Sequence, residues 1–510
     1  MYSHLVSSVV VGIDARSVEI QCDVTGGLPA FQVVGLPEKE VSESRERVRS
    51  AIKNSGFSFP ARRITANLAP ADLRKEGVGF DLPIALAILL ASEQIQATDK
   101  RYVIVGELSL NGEVRPVPGV LPISMMSLDH NYDGLIVPEK NATEAALVDG
   151  LPVYPVNSLA QAAAFIAGIV PIERFVVDRE GLFQRGSTEI KQDLSDVKGQ
   201  EMAKRALEIA ASGGHNLLMS GPPGAGKSML AHCLPGILPA LSFEEALEVT
   251  RIYSIAGLLA PEIPIITVPP FRSPHHTISY AGMVGGGHGL PGPGEITLAH
   301  HGVLFLDEIP EFERHVLETL RQPLEDRSIL LSRAGVSVRY PASFTLVAAM
   351  NPCPCGHLGD HTHSCTCSIG EIQRYRRRLS GPFLDRIDLF VEVPRLTTEE
   401  ILARPHGESS LVVQQRVMRA RKIQRDRFRD KQGIFTNARL SGKGIETYCV
   451  LDREGEKLAE LAIKRLGLSA RAYTRTLKVS RTIADLDGCE QIKASHIAEA
   501  IQYRASDNSL

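Results

Sequence analysis

Asn216-Leu-Leu-Met-Ser-Gly-Pro-Pro-Gly-Ala-Gly-Lys-Ser228 carries an apolar run into the pattern GxxxxGK[ST], and Met229-Leu-Ala-His-Cys-Leu234 continues it as a helix. A short predicted strand aims the loop. Gly221, Gly224 and Gly226 let backbone N–H groups close around phosphate oxygens, and the helix N-terminus adds the positive end of its dipole. Gly221, Pro222, Pro223, Gly224, Ala225, Gly226, Lys227 and Ser228 are therefore expected to bind ATP. Lys227 would reach the β- and γ-phosphates, and the Ser228 hydroxyl would join the Mg²⁺ shell.

The surrounding chain has 510 residues, enough for about three domains. A formal net charge of −3 says nothing in favour of wholesale coating by nucleic acid and leaves the question undecided, so any such contact must come from local basic loops. Leu5–Ile13 is apolar but has no basic leader and meets Asp14 and Arg16 at once, so it reads as a strand rather than a signal peptide. No apolar run approaches the ~18 residues of a membrane span. Four cysteines are scattered (Cys22, Cys233, Cys449, Cys489) and four crowd between Cys353 and Cys367, which fits reduced cytoplasmic thiols plus one local site.

Residues 1–170 alternate strand and helix periods, as in Phe31–Gly35, Val41–Ser55 and Ile64–Leu68, and read as an α/β or α+β domain. Within it, Lys75–Leu90 and Val105–Val120, the latter with a hairpin at Asn111-Gly112, resemble the proteolytic domain of the Lon family. That resemblance places Gly79 where the family has its Ser and Leu121 where it has its Lys. With neither nucleophile nor activating amine, acyl-enzyme chemistry has no starting point, and a non-proteolytic scaffold is expected. A charged linker covers 171–195. The ATPase core covers 196–395 and opens with a helix over Glu201–Ser212, as AAA+ modules do. Residues 396–510 are helix-patterned and read as a lid.

Val303-Leu-Phe-Leu-Asp-Glu308 is an apolar strand ending in two carboxylates: Asp307 for the Mg²⁺ shell and Glu308 for the attacking water. Phe344–Asn351 is another buried strand, and Asn351 matches the sensor-1 position of AAA+ proteins. Gly381-Pro-Phe-Leu-Asp-Arg-Ile-Asp388 resembles the segment of magnesium-chelatase and helicase AAA+ proteins whose arginine enters the neighbouring subunit's site, which makes Arg386 the finger. Arg471 matches the sensor-2 arginine, with Arg475 the runner-up.

Gly282–Ile296 is too rich in Gly and Pro to form a packed element and reads as a moving loop, matching the helix-2 insert of the magnesium-chelatase clade. Asp326–Tyr340 reads as a hairpin turned at Ala334-Gly335. Its Arg327, Arg333 and Arg339 are candidates for gripping a nucleic-acid backbone, Arg333 and Arg339 above all. A solvated edge hairpin is the alternative. The insert 353–367 pairs Cys353/Cys355 with Cys365/Cys367, four thiolates that can close a tetrahedral Zn²⁺ site, with His357, His361 or His363 as substitutes. Clustered reduced thiols or a redox pair are the other readings. Gln415–Lys431 is a cation-rich helix, either solvated or DNA-tracking.

Across nearly its whole length the chain is similar to the ComM/YifB family of magnesium-chelatase-like AAA+ ATPases, through its Lon-like front domain, NPCPCG, GPFLDRID and SARAYTRTLKVSRTIADL. The resemblance implies an AAA+ core with an α/β front domain and an α-helical lid. It also implies a homo-hexameric, ATP-driven motor on single-stranded and branched DNA, promoting branch migration in natural transformation. The alternative it leaves open is a chelatase-like chaperone ATPase acting on a protein partner.

Overall fold

A computed structural model describes the chain apart from residues 97, 186–191, 261, 288–289, 334–335, 361–362, 403–406, 432 and 506–510. The front domain is built on a seven-stranded mixed sheet in the order β3-β4-β2-β1-β5-β8-β9. Its strands are β1 (Tyr2–Val11), β2 (Asp14–Thr25), β3 (Ala30–Val34), β4 (Arg63–Ala69), β5 (Tyr102–Ile104), β8 (Gly134–Pro138) and β9 (Val153–Val156). The Asn111-Gly112 hairpin is the separate pair β6 (Glu107–Leu108) and β7 (Val114–Arg115).

Because successive strand side chains point to opposite faces, Ile104 and Ile136 join one core while their neighbours Val103, Leu135 and Val137 join the other. The helices Lys39–Asn54 and Asp81–Ala91 cover the first face, and Val120–Asp129 covers the second. Asp81–Ala91 is apolar nearly all round and buried nearly throughout, as a central core helix must be. Gly79 sits just before it. Leu121, which the resemblance set at the lysine position, is fully buried in one apolar cluster with Leu241 and Val249.

The second sheet has five parallel strands in the order β11-β14-β17-β10-β18. They are β10 (Leu217–Ser220), β11 (Phe271–Arg272), β14 (Val303–Leu306), β17 (Thr345–Met350) and β18 (Leu389–Glu392). Leu217, Met219, Phe305 and Val347 face the helices Glu201–Gly213, Lys227–Ile237 and Ser410–Arg427, while Leu218, Leu304, Leu306 and Ala348 face the opposite side. β10, β14 and β17 are buried on both faces and so read as nearly unbroken apolar runs in the sequence.

Three sequence expectations need correction here. The stretch 171–195, expected as a linker, carries a helix at Arg179–Arg185 whose Phe183 packs on Phe243, and its Leu194 belongs to the ATPase core. The Gly/Pro-rich stretch 282–296, expected to be unpacked, forms a short ladder of β12 (Gly285–Gly286) and β13 (Gly292–Pro293). Met283 and Gly285 are buried there, and Tyr340 donates to the Pro291 carbonyl at 2.6 Å. A Cβ at Gly285, where φ is +115°, would lie 2.5 Å from the Gly292 carbonyl oxygen, which is why glycine stands there. His288 and Gly289 lie outside the described residues.

The expected basic hairpin is β15 (Ser328–Arg333) with β16 (Val336–Pro341). One face, with Leu331 and Val338, packs inward, and Val338 meets the β1–β2 turn at Gly12. The other exposes Leu330 and Arg339. Arg327 leaves this row of cations: it turns toward the lid and reaches the Gly433 carbonyl. The Ala334-Gly335 turn lies outside the described residues, as does the Arg333 side chain. Residues beyond 396 form a helical unit from Thr398–Leu402 to Ala494–Ala505. Among the described residues, no helix is long and apolar enough to cross a membrane.

Candidate active site

At the C-terminal ends of β10, β14 and β17, a loop, two carboxylates and an amide converge. The loop Gly221–Gly226 follows β10. Gly224 and Gly226 adopt φ of +76° and +92°, with nothing within 4 Å of a would-be Cβ, so the loop backbone faces open space. Gly221 is different: a Cβ there would lie 2.1 Å from the Val393 carbonyl oxygen, and only glycine allows the strands to close.

Lys227 begins the helix and is buried. Its ammonium donates to the carbonyls of Gly221 (2.6 Å) and Pro222 (2.9 Å) and to Asn351 Oδ1 (3.2 Å). Burial pulls its pKa below the usual lysine value, against the weaker attraction of Asp307 and Glu308. Its direct acceptors are all neutral oxygens, which the charged oxygens of a polyphosphate can replace. Ser228 Oγ donates to Asp307 Oδ2 at 2.6 Å, and the Glu308 N–H holds Asp307 Oδ1 at 2.9 Å. A hydroxyl and a carboxylate so paired can share a divalent cation's shell. Glu308 stands in the left-handed region at φ +50°, half exposed, with His276 Nδ1 3.5 Å from its carboxylate. The residues present thus fit Mg²⁺ and a nucleoside triphosphate.

The cysteine insert closes over this loop. Asn351 leads into it after one residue, and at Gly356 (φ +83°) a Cβ would meet Pro223 Cδ at 2.6 Å. Cys353 Sγ lies 3.3 Å from Cys355 Sγ and 3.6 Å from Cys365 Sγ, the 355–365 separation is 3.6 Å, and Cys367 completes a group within 4.8 Å. The Cys355 N–H donates to Cys367 Sγ at 3.4 Å. Tetrahedral bonds of about 2.3 Å would set sulfurs about 3.8 Å apart, so the four thiols fit Zn²⁺. The proposed histidine substitutes do not belong to this group. His357 and His363 gather instead around the buried Asp360, at 3.3 and 3.5 Å, where Arg395 joins them; His361 lies outside the described residues.

The arginines expected at the nucleotide are not brought to the chain's own loop. Asn216 donates its side-chain amide to the Arg386 carbonyl at the start of β10, whereas the loop follows that strand's far end, about 13 Å away along four residues. Arg386 turns inward, with Nη2 2.7 Å from Glu325 and Nε on the Arg321 carbonyl. Arg471 is 71% exposed and 3.9 Å from Asp385. Arg475 is half-buried and paired with Asp388, whose carboxylate also holds the Asn216 N–H at 2.9 Å. That carboxylate is drawn well below its usual range by Arg475 and His215, against the burial that would raise it.

The cation-rich helix Ser410–Arg427 spends three of its arginines internally. Arg416 pairs with Glu208 and Glu408, Arg421 donates to the Ala211 carbonyl, and Arg427 pairs with Asp485. Reading the sequence missed His276, the seating of Gly356 on Pro223, and a shallow cavity of about 380 Å³ beside Glu311 lined by Arg314, Arg374, Arg377 and Arg378. The clustered arginines of 374–378 are visible in the sequence, but their nearness to the Asp307-Glu308 strand end is not.

Comparison with known proteins places these features together. The sequence profile described as magnesium chelatase, subunit ChlI matches residues 193–401, and related profiles, the ChlI subunit and its C-terminal region, match 20–141 and 407–504. The chain is 47% identical to Competence protein ComM of Haemophilus influenzae over 98% of its own length and 96% of that protein's. It is equally similar, over the same shares, to the uncharacterised protein YifB of Escherichia coli. Similarity to the magnesium-chelatase 38 kDa subunit of Rhodobacter capsulatus is 28% over 31% of this chain and 49% of the other.

Proposed function

We propose, from the premise that this chain belongs to the ComM and YifB family of magnesium-chelatase-type AAA+ proteins, that it is an ATP-driven motor on DNA. The reading is a cytoplasmic homo-hexamer that moves along single-stranded and branched DNA and promotes branch migration during natural transformation. The observation that carries the ATPase half is the meeting of Lys227, Ser228, Asp307 and Asn351 within hydrogen-bond reach at one sheet edge. The DNA half rests on near full-length likeness to a protein named for competence.

Bound Mg²⁺ and ATP would supply the phosphoanhydride and neutralise its charge. The chain's own residues do the rest. Gly221–Ser228 would seat the phosphates, Lys227 would exchange its carbonyl partners for phosphate oxygens, and Ser228 and Asp307 would hold the metal. Glu308 accepts the proton of the attacking water, and Asn351, tied to Lys227, orients that water. Arg386 and Arg471 or Arg475 lie too far from this loop to serve it, which supports action across an interface, with Arg386 exchanging Glu325 for a neighbour's phosphate. Zn²⁺ on Cys353, Cys355, Cys365 and Cys367 would brace the insert against Pro223. Arg333 and Arg339 would present cations to the DNA backbone from each subunit.

The experiment is the ATPase rate with no DNA and with single-stranded, duplex and forked DNA, alongside branch migration on a synthetic junction. Stimulation by forked or single-stranded DNA with ATP-dependent junction movement is expected. The matches to magnesium-chelatase subunits favour one other reading, a chaperone ATPase remodelling a protein for metal insertion. Hydrolysis indifferent to every DNA, but raised by a protein partner, would replace the motor with that reading.

A further inference from the structure

A cleft of about 960 Å³ lies between the ATPase core and the helical unit. Asn216, Gly302, Thr345 and Asp388 line it, and each stands at or just before the start of β10, β14, β17 or β18. It therefore opens at the N-terminal edge of the sheet, the length of a strand from the nucleotide loop.

One wall is cationic. Arg421 donates to the Ala211 carbonyl through Nε (3.0 Å) and Nη2 (2.8 Å). Arg327 and Arg439 both reach the Gly433 carbonyl, at 3.5 and 3.4 Å, and Lys478 donates to the Ala438 carbonyl at 3.1 Å. Arg439 also donates to the Ser343 hydroxyl. Every acceptor is a neutral oxygen, and none of the four forms an ion pair among the described residues. Acids line the cleft as well, and Glu245, Glu248 and Asp388 attract Arg421, Arg439 or Lys478 from beyond ion-pair distance, but each acid has a nearer partner. Glu248 is held by His301 (2.7 Å) and His300 (3.2 Å), Glu245 caps its helix through the Ser242 N–H (2.9 Å), Glu244 accepts from the Ser242 hydroxyl (2.9 Å), Glu325 pairs with Arg386, and Asp388 with Arg475.

Arg327, Arg421, Arg439 and Lys478 are half-buried, and holding several cations together without ion pairs is costly through partial desolvation and mutual repulsion. Burial, then the nearby Arg439, pull Arg327 and Arg421 down to about 10. Arg327 in addition adopts φ +55°, a backbone region that non-glycine residues seldom occupy. Such an arrangement around open space is offset when a multiply charged anion enters. The ring of Phe435, half exposed in the cleft with the Arg439 guanidinium 5.4 Å from its centroid, offers a face on which a base can stack.

We propose that this cleft is a second, non-catalytic anion site that binds a phosphoanhydride, a nucleoside or inorganic polyphosphate, between Arg327 of the core and Arg421, Arg439 and Lys478 of the lid. Several linked phosphates match several cations spread along one wall, whereas a lone carboxylate would leave most of them unpaired. Occupancy ties core to lid and so sets the angle between them. The proposal does not depend on the motor being a DNA motor.

Hydrogen–deuterium exchange of the full chain, with tripolyphosphate or with ATP, tests it. Protection of 433–441 and 325–328 is expected in addition to that of 221–228, so the two sites are read separately. Arg327→Gln/Arg439→Gln should lose the first protection, or need at least ten-fold more probe for it, while 221–228 stays protected. Without probe this variant should melt at or above the wild type, since charge repulsion is relieved. If it melts below, Arg421→Gln is read in the same way. Protection by both probes shows that the phosphates alone are recognised, and protection by ATP alone shows that the nucleoside is needed. The proposal is overturned if neither probe protects 433–441 in the wild type, if the variants keep that protection, or if only an oligonucleotide confers it.

Discussion

The two edges of the five-stranded sheet make opposite use of charge. At the C-terminal edge one buried cation, Lys227, bonds Asn351 and lies near the carboxylates of Asp307 and Glu308, so acids outnumber the cation and each group has a partner. At the N-terminal edge Arg327, Arg421 and Arg439 gather without carboxylates of their own, beside Asp388, whose charge Arg475 already takes up. Parallel strands end in loops on both sides, so the geometry available is similar. What differs is where the partners come from. The first edge draws them from strand ends in one domain, while the second needs side chains from core and lid together.

The largest effect that could break this contrast is at the C-terminal edge. Lys227→Ala should abolish measurable nucleotide binding there, whereas Glu308→Gln should hold ATP and hydrolyse it slower by about 100-fold or more. Equilibrium binding and single-turnover hydrolysis separate the two, and hydrolysis at the wild-type rate in Glu308→Gln removes the role given to that residue.

Next in size is the arginine that belongs to one edge and is proposed to act on the other. Arg386→Ala should silence hydrolysis in the assembled protein, and mixing it with Lys227→Ala subunits should recover part of the activity. Co-assembly without recovery leaves Arg386 as only the partner of Glu325.

The cysteine insert sharpens the comparison from the side of the loop. Metal analysis should find about one Zn²⁺ per chain, and none in Cys353→Ser/Cys365→Ser. Loss of the metal should free Gly356 from Pro223 and weaken ATP binding several-fold. Zinc unchanged in the double variant ends the claim.

A smaller effect is expected on the outer hairpin. Arg333→Ala/Arg339→Ala should lower DNA affinity and flatten its salt dependence by about one unit of slope per lost phosphate contact, with basal ATPase intact. Titrations at several salt concentrations measure it.

The smallest concerns stability at the cationic edge. His300 accepts the Ser343 N–H at Nδ1, so Nε2 carries the proton given to Glu248, and burial lowers its pKa from 6.5 to about 4. The unfolded chain then binds the extra proton first as pH falls, so this contribution is intact above about 6.5 and drains away toward 4. Glu248, held below its ordinary value by both histidines, loses its own contribution below the carboxylate range. Thermal melts of wild type and His300→Gln between pH 7 and 4 should converge as pH drops, and a constant gap would refute the linkage.

Legibility followed sequence distance. Gly221–Ser228 is contiguous, and Asp307, Glu308 and Asn351 each end a wholly apolar strand, so a burial pattern and a short motif located them. The front sheet was legible as alternating periods, but not in its strand order. Arg327 was misjudged because spacing alone placed it in a row with Arg333 and Arg339, while a left-handed backbone at the strand's start turns it to the lid. His357 and His363 were misassigned because Asp360, between them in sequence, draws both away from the thiols. The linker hid a helix because its apolar residues, Leu182 and Phe183, are meaningful only against Phe243.

By itself the sequence determined the Gly-rich loop Gly221–Ser228, the two carboxylates that end the apolar run Val303–Leu306, and the lack of Ser and Lys at Gly79 and Leu121, since each depends on residue type within a short window. Only the tertiary structure decided that Leu121 is buried with Leu241 and Val249, that the cysteine insert rests on Pro223, that Arg386 faces away from its own loop, and that cations from positions 327, 421, 439 and 478 share a cleft. The physical reason is that electrostatic cost and packing act through space: a charge with no partner nearby in sequence carries no mark there, and its environment exists only once core and lid have closed on each other.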